Sequence, residues 1–147
     1  MSSSDLQNLY QELILDHSRT PHGFGLRGDV EAQSHQLNPT CGDEITLQVH
    51  AASDGTIEVI AWEGHGCAIS QASASLFAEL VEGMTVPEIT TRIDAFREAM
   101  RSRGKIEPDE ELLGDAAALG SVSRYVARVK CAMLAWVAAE DAIRKLR

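Results

Sequence analysis

Residues 44–63 read EITLQVHAASDGTIEVIAWE, and this stretch decides how the chain folds. Apolar and polar residues alternate over 44–51 and again over 56–63, which is the two-residue period of strands with one buried face. Ser53-Asp54-Gly55 separates the two runs, and Asp-Gly is a strong hairpin signal. The stretch therefore predicts two antiparallel strands joined by a tight turn.

Upstream of this hairpin, the sequence predicts one further strand and one helix. Residues 6–19 carry apolar side chains at helical spacing, and the Pro- and Gly-containing segment 20–25 ends that helix. Residues 30–37 form the additional strand candidate, which would complete a three-stranded sheet.

Downstream of the hairpin, the apolar period becomes helical. A helix is predicted from about residue 69 to the glycine at position 83. Thr85 then begins another helix, because Glu88 stands at the capping-box spacing. We expect a short helix or an ordered loop over 108–120, and a long last helix that begins at Ser121 or Ser123.

Together these elements predict an α+β fold. The N-terminal helix precedes a three-stranded antiparallel sheet, and several helices then pack on one face of that sheet. The length of 147 residues is appropriate for one core, so we expect residues 1–147 to form a single domain.

Composition excludes several functional classes. Lysine and arginine number 13 against 22 aspartates and glutamates, and the net charge of −9 disfavours binding to nucleic acid or anionic membranes. The first residues lack the basic start and apolar run of a signal peptide, and no apolar stretch is long enough to span a bilayer. We therefore expect a cytoplasmic protein, in which three cysteines do not form a disulfide framework.

The three cysteines lie where the predicted fold could bring them together. Cys41 and Asp43 flank Gly42 in the turn before the second strand, and Cys67 follows the third strand. Those two strand ends are neighbours in an antiparallel hairpin, and the last helix carries Cys131. Zinc prefers four ligands drawn from cysteine, histidine and carboxylate, so the set would suit one zinc site.

Spacing alone also allows simpler interpretations. Cysteine is among the most buried residue types, and Cys131 in an apolar helix can serve packing alone. Cys41 differs because its glycine turn offers a thiol little to pack against. His65, between two glycines, is either a turn residue or an additional donor near the metal. The residues alone leave a shared metal site and unrelated cysteines both open.

The segments around the cysteines resemble the U-type (NifU/IscU-like) iron–sulfur cluster assembly family, and within it the SufU branch. Three cysteine motifs follow one another in the same order as in the family. They are NPTCGD at 38–43, GHGCAIS at 64–70 and RVKCAMLAW at 128–136. The branch is indicated by Lys130, where scaffold-type relatives have a histidine, because an ammonium group has no lone pair for a metal. The stretch 124–128 also lacks the proline-containing chaperone motif of scaffolds, and the acidic segment 108–120 resembles a SufU insertion.

The resemblance implies a bound metal and an activity. SufU-type proteins bind zinc through three cysteines and an aspartate, which here are Cys41, Asp43, Cys67 and Cys131. They accept persulfide sulfur from a SufS-type cysteine desulfurase, here on Cys41 as the catalytic residue, and pass it to downstream iron–sulfur assembly proteins. This would be a sulfurtransferase-like role. Two alternatives use the same cysteines: a scaffold that carries an iron–sulfur cluster, and a structural zinc module.

Two arginines are candidates for docking the desulfurase. Arg124 and Arg128 stand four residues apart, so on one helix they would share a face. Arg128 precedes Cys131 by three residues and matches an arginine of the family motif. The alternative is an ordinary solvated pair of surface charges.

Overall fold

A computed structural model describes residues 3–28, 30, 32–39 and 42–146 of the chain. One helix, three strands and then further helices follow in order, which confirms the α+β fold predicted from the sequence. No helix within the described residues is long and apolar enough to cross a membrane. The elements are α1 Ser3–Arg19, β1 Gln33–Asn38, β2 Asp43–Ala51, β3 Ile57–His65, α2 Ala68–Val81, α3 Val86–Arg101, α4 Glu110–Leu113, a 3₁₀ helix Gly114–Arg124 and α5 Val126–Ile143.

The sheet is antiparallel, and β2 lies between β1 and β3. The β2–β3 hairpin is the one that the alternating pattern predicts, and β1 begins three residues later than expected from the sequence. Asn38 pairs with Asp43, and Glu44 pairs with His65. The end of β1, the start of β2 and the end of β3 therefore meet at one end of the sheet.

Helices α2 and α5 cover one face of the sheet and form the core with it. The Trp136 side chain of α5 is fully buried. Its ring stacks on Phe96 of α3, with centroids 3.9 Å apart, and meets the edge of Phe77 of α2 at 4.8 Å. Aromatic pairs of this kind contribute roughly 0.5–1.5 kcal/mol beyond the burial of their area, so Trp136 fixes α5 relative to both neighbouring helices.

The start of α3 follows the sequence prediction closely. The Thr85 hydroxyl accepts a hydrogen bond from the Glu88 backbone N–H, and Glu88 Oε1 accepts hydrogen bonds from the backbone N–H and the hydroxyl of Thr85. This reciprocal pairing satisfies donors that would otherwise lack partners at the helix start. The capping box predicted from residues 85–88 is confirmed.

The start of the last helix differs from the prediction. Neither Ser121 nor Ser123 begins α5, because both lie in the 3₁₀ helix, and α5 starts only at Val126. The Ser123 hydroxyl donates to the Gly120 carbonyl oxygen at 2.7 Å. It therefore bonds backward within the 3₁₀ helix and does not cap the helix ahead. Consequently Arg124 precedes α5, and the prediction that Arg124 and Arg128 share one helix is wrong.

Candidate metal centre

Three of the four predicted ligands converge at the end of the sheet. Asp43 opens β2, Cys67 precedes α2 and Cys131 lies in the second turn of α5. One ligand atom from each lies within 4.8 Å of the other two. Ligands bound to one zinc ion at about 2.0–2.3 Å can be at most about 4.6 Å apart. Small side-chain adjustments would therefore suffice to enclose an ion.

The Asp43 carboxylate is held by the backbone of the facing turn. Its Oδ1 atom accepts a hydrogen bond from the Cys67 backbone N–H at 3.0 Å, and its Oδ2 atom lies 3.8 Å from Cys67 Sγ. Only 1% of Asp43 is exposed. Burial of a charged carboxylate is costly unless hydrogen bonds or a cation compensate it. This residue therefore has the environment of a metal ligand more than that of a surface acid.

Two glycines make this approach possible. Gly42 has a φ of +73°, a left-handed conformation that is costly for other residues, and its N–H donates to the Asn38 carbonyl oxygen at 2.8 Å. A Cβ atom on Gly66 would overlap Asp43 Oδ1 and lie 2.6 Å from Ser70 Oγ. The space occupied by the carboxylate therefore exists only because residue 66 has no side chain.

Cys67 is exposed and stands at the N-terminus of α2. The unpaired N–H groups at the start of a helix carry partial positive charge and favour anionic groups. The Ser70 hydroxyl, one turn later, donates to the Cys67 carbonyl oxygen at 3.0 Å and lies 3.9 Å from its sulfur. The sulfur of Cys67 thus lies at the start of α2, within 4 Å of both the Asp43 carboxylate and the Ser70 hydroxyl.

Cys131 is buried, and a hydrogen-bond network fixes the backbone beside it. Ser73 Oγ of α2 donates to the Ala132 carbonyl oxygen at 2.6 Å and accepts the Trp136 Nε1–H at 2.9 Å. Both bonds are fully buried. The role of Ser73 is not evident from the sequence, in which the only signal is a small polar residue in an otherwise apolar helix. Ser73 ties the cysteine-bearing turn of α5 to α2.

Cys41, the remaining predicted ligand, lies outside the described residues. Gly42 and Asp43 follow it directly, so its place in the chain is next to the centre. Lys130, beside Cys131, is exposed, and within the described part of the chain its ammonium group forms no ion pair.

Known proteins resemble this chain over nearly its whole length. The NifU-like N-terminal domain family matches residues 9–132. The chain belongs to this family. The iron–sulfur cluster assembly scaffold protein IscU of Streptococcus pyogenes serotype M1 is 41% identical over 146 residues, which cover 99% of this chain and 89% of the relative. The zinc-dependent sulfurtransferase SufU of Bacillus subtilis strain 168 is 36% identical, over 97% of this chain and 95% of the relative.

Solved structures have the same architecture as this NifU-like chain. The N-terminal part of a NifU-like protein from Brucella abortus is 27% identical, with a TM-score of 0.81 over 95% of this chain and 94% of that one. A protein from Fervidobacterium islandicum AW-1 named FiSufU is 33% identical, with a TM-score of 0.73 over 95% and 97%. These comparisons confirm that the cysteine motifs identify the U-type iron–sulfur assembly family.

The two arginines of the NifU-like chain line neighbouring grooves. The Arg128 guanidinium stands 5.7 Å from the centre of the exposed Tyr125 ring, beside a groove between α1 and α5 that Ile14 and Ile69 also line. Arg124 lines a second groove with Gly104, which adjoins the first because Tyr10 and Ser121 line both. A partner that contacts Arg128 next to the metal centre therefore does not contact Arg124 through the same helix face.

His65 is not part of the metal cluster of the described residues. Its Nε2 lies 3.1 Å from Glu44 Oε1, while His35 Nε2 lies 2.7 Å from Glu44 Oε2. The hydrogen bond with His35 lowers the pKa of Glu44, and His65 adds to this effect. The two imidazoles thus bracket one carboxylate on the exposed face of the sheet, next to Asp43.

Proposed function

We propose that this protein is a zinc-dependent sulfur acceptor of iron–sulfur cluster assembly. It would take persulfide sulfur from a SufS-type cysteine desulfurase on Cys41 and pass it to downstream assembly proteins. The observation that carries the proposal is the convergence of Asp43, Cys67 and Cys131 within 4.8 Å, and Asp43 stands two residues after Cys41 in the chain. The relative from Bacillus subtilis, named a zinc-dependent sulfurtransferase, supports it.

The donor set fits zinc. Two sulfurs and one carboxylate, with Cys41 as a fourth donor, match the tetrahedral preference of this ion, and thiolates disfavour magnesium and calcium. Bound zinc would keep the cysteine ligands as thiolates at neutral pH. Asp43 would supply the one hard oxygen among soft sulfurs, and the hydrogen bond from the Cys67 N–H would keep that oxygen in place when a sulfur ligand leaves.

The transfer itself is a thiol–disulfide type of exchange at Cys41. Its thiolate attacks the outer sulfur of a persulfide on the desulfurase, and a new S–S bond forms on Cys41. The S–S bond of the desulfurase breaks, and its electron pair leaves with the desulfurase cysteine as a thiolate. Electrons balance without an external oxidant or reductant. Cys67 and Cys131 stay in place as anchors, because one stands at a helix start and the other within a helix.

Docking of the desulfurase is assigned to the surface around the metal centre. Arg128 is exposed three residues before Cys131, so it can meet an acidic group of the partner close to the transfer site. Arg124 would contact the partner only if the interface extends to the second groove. Substitution of Arg128 should therefore weaken desulfurase binding more than substitution of Arg124, and the same substitutions should leave zinc retention unchanged.

A scaffold that carries an iron–sulfur cluster is the second candidate function. The relative from Streptococcus pyogenes, named a scaffold, favours it at 41% identity. Lys130 opposes it, since an exposed ammonium group cannot serve as the additional ligand. Metal analysis separates the two functions. A colourless protein with about one thiolate-bound zinc per chain supports sulfur transfer, and a brown protein that retains iron and acid-labile sulfide supports the scaffold.

Desulfurase turnover tests the acceptor role directly. Sulfide release by the desulfurase is measured with the native protein, with Cys41→Ala and with Cys67→Ala. We expect native protein to stimulate turnover, and mass spectrometry to detect one added sulfur on Cys41. Cys67→Ala keeps the acceptor cysteine but removes one proposed zinc ligand. It therefore distinguishes loss of the attacking thiolate from loss of zinc. Stimulation by Cys41→Ala equal to that of native protein would show that the acceptor role is wrong.

A purely structural zinc site is tested by metal removal. Zinc can supply most of the folding free energy of small modules, about 10–16 kcal/mol in zinc-finger peptides. The core of this protein, built around α2, α5 and the sheet, should not depend on it. We expect zinc-free protein to retain a cooperative thermal transition and to lose stimulation of the desulfurase. Loss of the transition at ambient temperature would favour the structural role.

A further inference from the structure

A second cluster of possible metal ligands lies away from the cysteines. It combines His17 in the last turn of α1, Glu79 in the last turn of α2 and Asp115 at the start of the 3₁₀ helix. One ligand atom of each lies within 4.8 Å of the other two, and His17 Nε2 is 4.0 Å from Glu79 Oε2. Three separate segments thus direct a nitrogen and two carboxylates toward one point. The spacing of these three residues in the sequence does not indicate that they form a group.

A hydrogen bond to a buried serine orients the histidine of this cluster. His17 Nδ1 is 2.6 Å from Ser75 Oγ, and the same oxygen accepts the His22 backbone N–H at 2.7 Å. Ser75 is fully buried, and only 12% of the His17 side chain is exposed. A hydrogen bond at one ring nitrogen orients the other toward a metal, as is usual for metal-binding histidines. Here the other nitrogen, Nε2, lies 4.0 Å from Glu79 Oε2.

Among the described residues, no lysine or arginine offsets the charge of the two carboxylates. Within residues 3–28, 30, 32–39 and 42–146, neither Glu79 nor Asp115 pairs with a lysine or arginine. Two carboxylates this close repel each other, and a cation between them relieves the repulsion. The chain as a whole carries a charge of −9, which adds to the attraction for a cation.

We propose that His17, Glu79 and Asp115 form a second binding site, for a divalent first-row transition ion. The donors are one imidazole nitrogen and carboxylate oxygens, a set that suits zinc or ferrous iron and contains no sulfur. Three protein ligands leave room for water on the exposed side, because Glu79 and Asp115 both reach solvent. This site does not depend on the sulfur-transfer function, since it shares no ligand with the cysteine centre.

Zinc stoichiometry tests the proposal in the full chain. Protein equilibrated with micromolar zinc is analysed as the native form, as Glu79→Gln/Asp115→Asn, and as the matched control Glu82→Gln. Glu82 pairs with His22 at 3.0 Å on the same helix end, outside the cluster. We expect two zinc ions per chain in native protein and in the control. In the double variant the second ion should bind at least about tenfold more weakly.

Nuclear magnetic resonance of the native protein gives a readout that does not depend on the variants. Zinc added beyond the first equivalent should shift the imidazole signals of His17 and leave those of His22 unchanged. Native protein whose only bound zinc is held by the cysteines, or an equally bound second ion in the double variant, would overturn the proposal. So would a second equivalent that leaves the His17 signals in place.

Discussion

The backbone N–H of Cys67 donates a hydrogen bond to Asp43 Oδ1 at 3.0 Å. This bond joins the start of β2 to the N-terminus of α2, and it links two proposed metal ligands before any ion is bound. A hydrogen bond from a backbone donor to an ionised acceptor is among the stronger ones in proteins. The carboxylate is therefore positioned in advance, and its two roles, in the fold and in metal binding, can be separated by substitution.

Asp43→Ala and Asp43→Asn should separate these roles. Alanine removes the ligand and leaves the Cys67 N–H without this partly buried acceptor, so we expect weak zinc retention and a loss of about 1 kcal/mol of unfolding free energy. Asparagine keeps an oxygen that can accept the bond. Its zinc-free stability should stay close to native, while its zinc retention falls because the ligand is neutral. Chelator competition and urea unfolding measure the two quantities, and native-like zinc retention in both variants would contradict a role as ligand.

Gly66→Ala should damage the metal centre selectively. The added Cβ would overlap Asp43 Oδ1 and crowd Ser70 Oγ, and Asp43 is too buried to move aside freely. We expect zinc retention to fall while the thermal transition remains cooperative. Gly66→Ala/Ser70→Ala is the matched control, because it removes only the overlap with the serine. Restored zinc retention in that double variant would mean that Ser70, and not Asp43, causes the effect.

The parts of the fold that local chemistry decides could be predicted from the sequence. The alternation around Asp54-Gly55 predicts the hairpin, and Thr85 with Glu88 predicts the start of α3, because each depends on residues close in the chain. The start of α5 could not be predicted in this way. Ser123 is of a residue type that often caps helices, but its hydroxyl donates to the Gly120 carbonyl oxygen instead. This bond belongs to the 3₁₀ helix, whose presence the residue type does not indicate.

Of the two clusters of possible ligands, the cysteine cluster could be predicted from the sequence, and the cluster around His17 could not. Cys67 follows a predicted strand and Asp43 opens the neighbouring one, so antiparallel pairing alone brings them together. His17, Glu79 and Asp115 belong to three helical segments whose relative positions depend on tertiary packing. The positions of these residues along the sequence do not indicate how the three segments pack together. For the same reason the bond between Ser73 and the backbone beside Cys131 became evident only in the structure.

Ser73→Ala should destabilise the protein and disturb Cys131. It leaves the buried Trp136 Nε1–H without its acceptor and removes the second bond to the Ala132 carbonyl oxygen, which keeps its bond within the helix, so we expect a loss of about 1–3 kcal/mol. Urea unfolding of Ser73→Ala, of Trp136→Phe and of the double variant measures the coupling. We expect the double variant to lose less stability than the sum of the single ones. Additive losses would show that the serine and the tryptophan act independently.

Acid should weaken the contribution of the capping box at the start of α3. Hydrogen bonds from the Thr85 backbone N–H, and then from its hydroxyl, lower the pKa of Glu88. A carboxyl with a lower pKa in the folded state stabilises the fold above its unfolded pKa, and this stabilisation is lost as pH falls through the folded pKa. The difference in unfolding free energy between native protein and Glu88→Gln should therefore be constant near neutral pH. It should shrink as pH falls below about 4.3, the ordinary glutamate pKa.

Urea unfolding over a pH series measures this difference, and Thr85→Ala should remove most of its pH dependence. A difference that grows toward acid pH would contradict the assignment of the lowered pKa to these bonds.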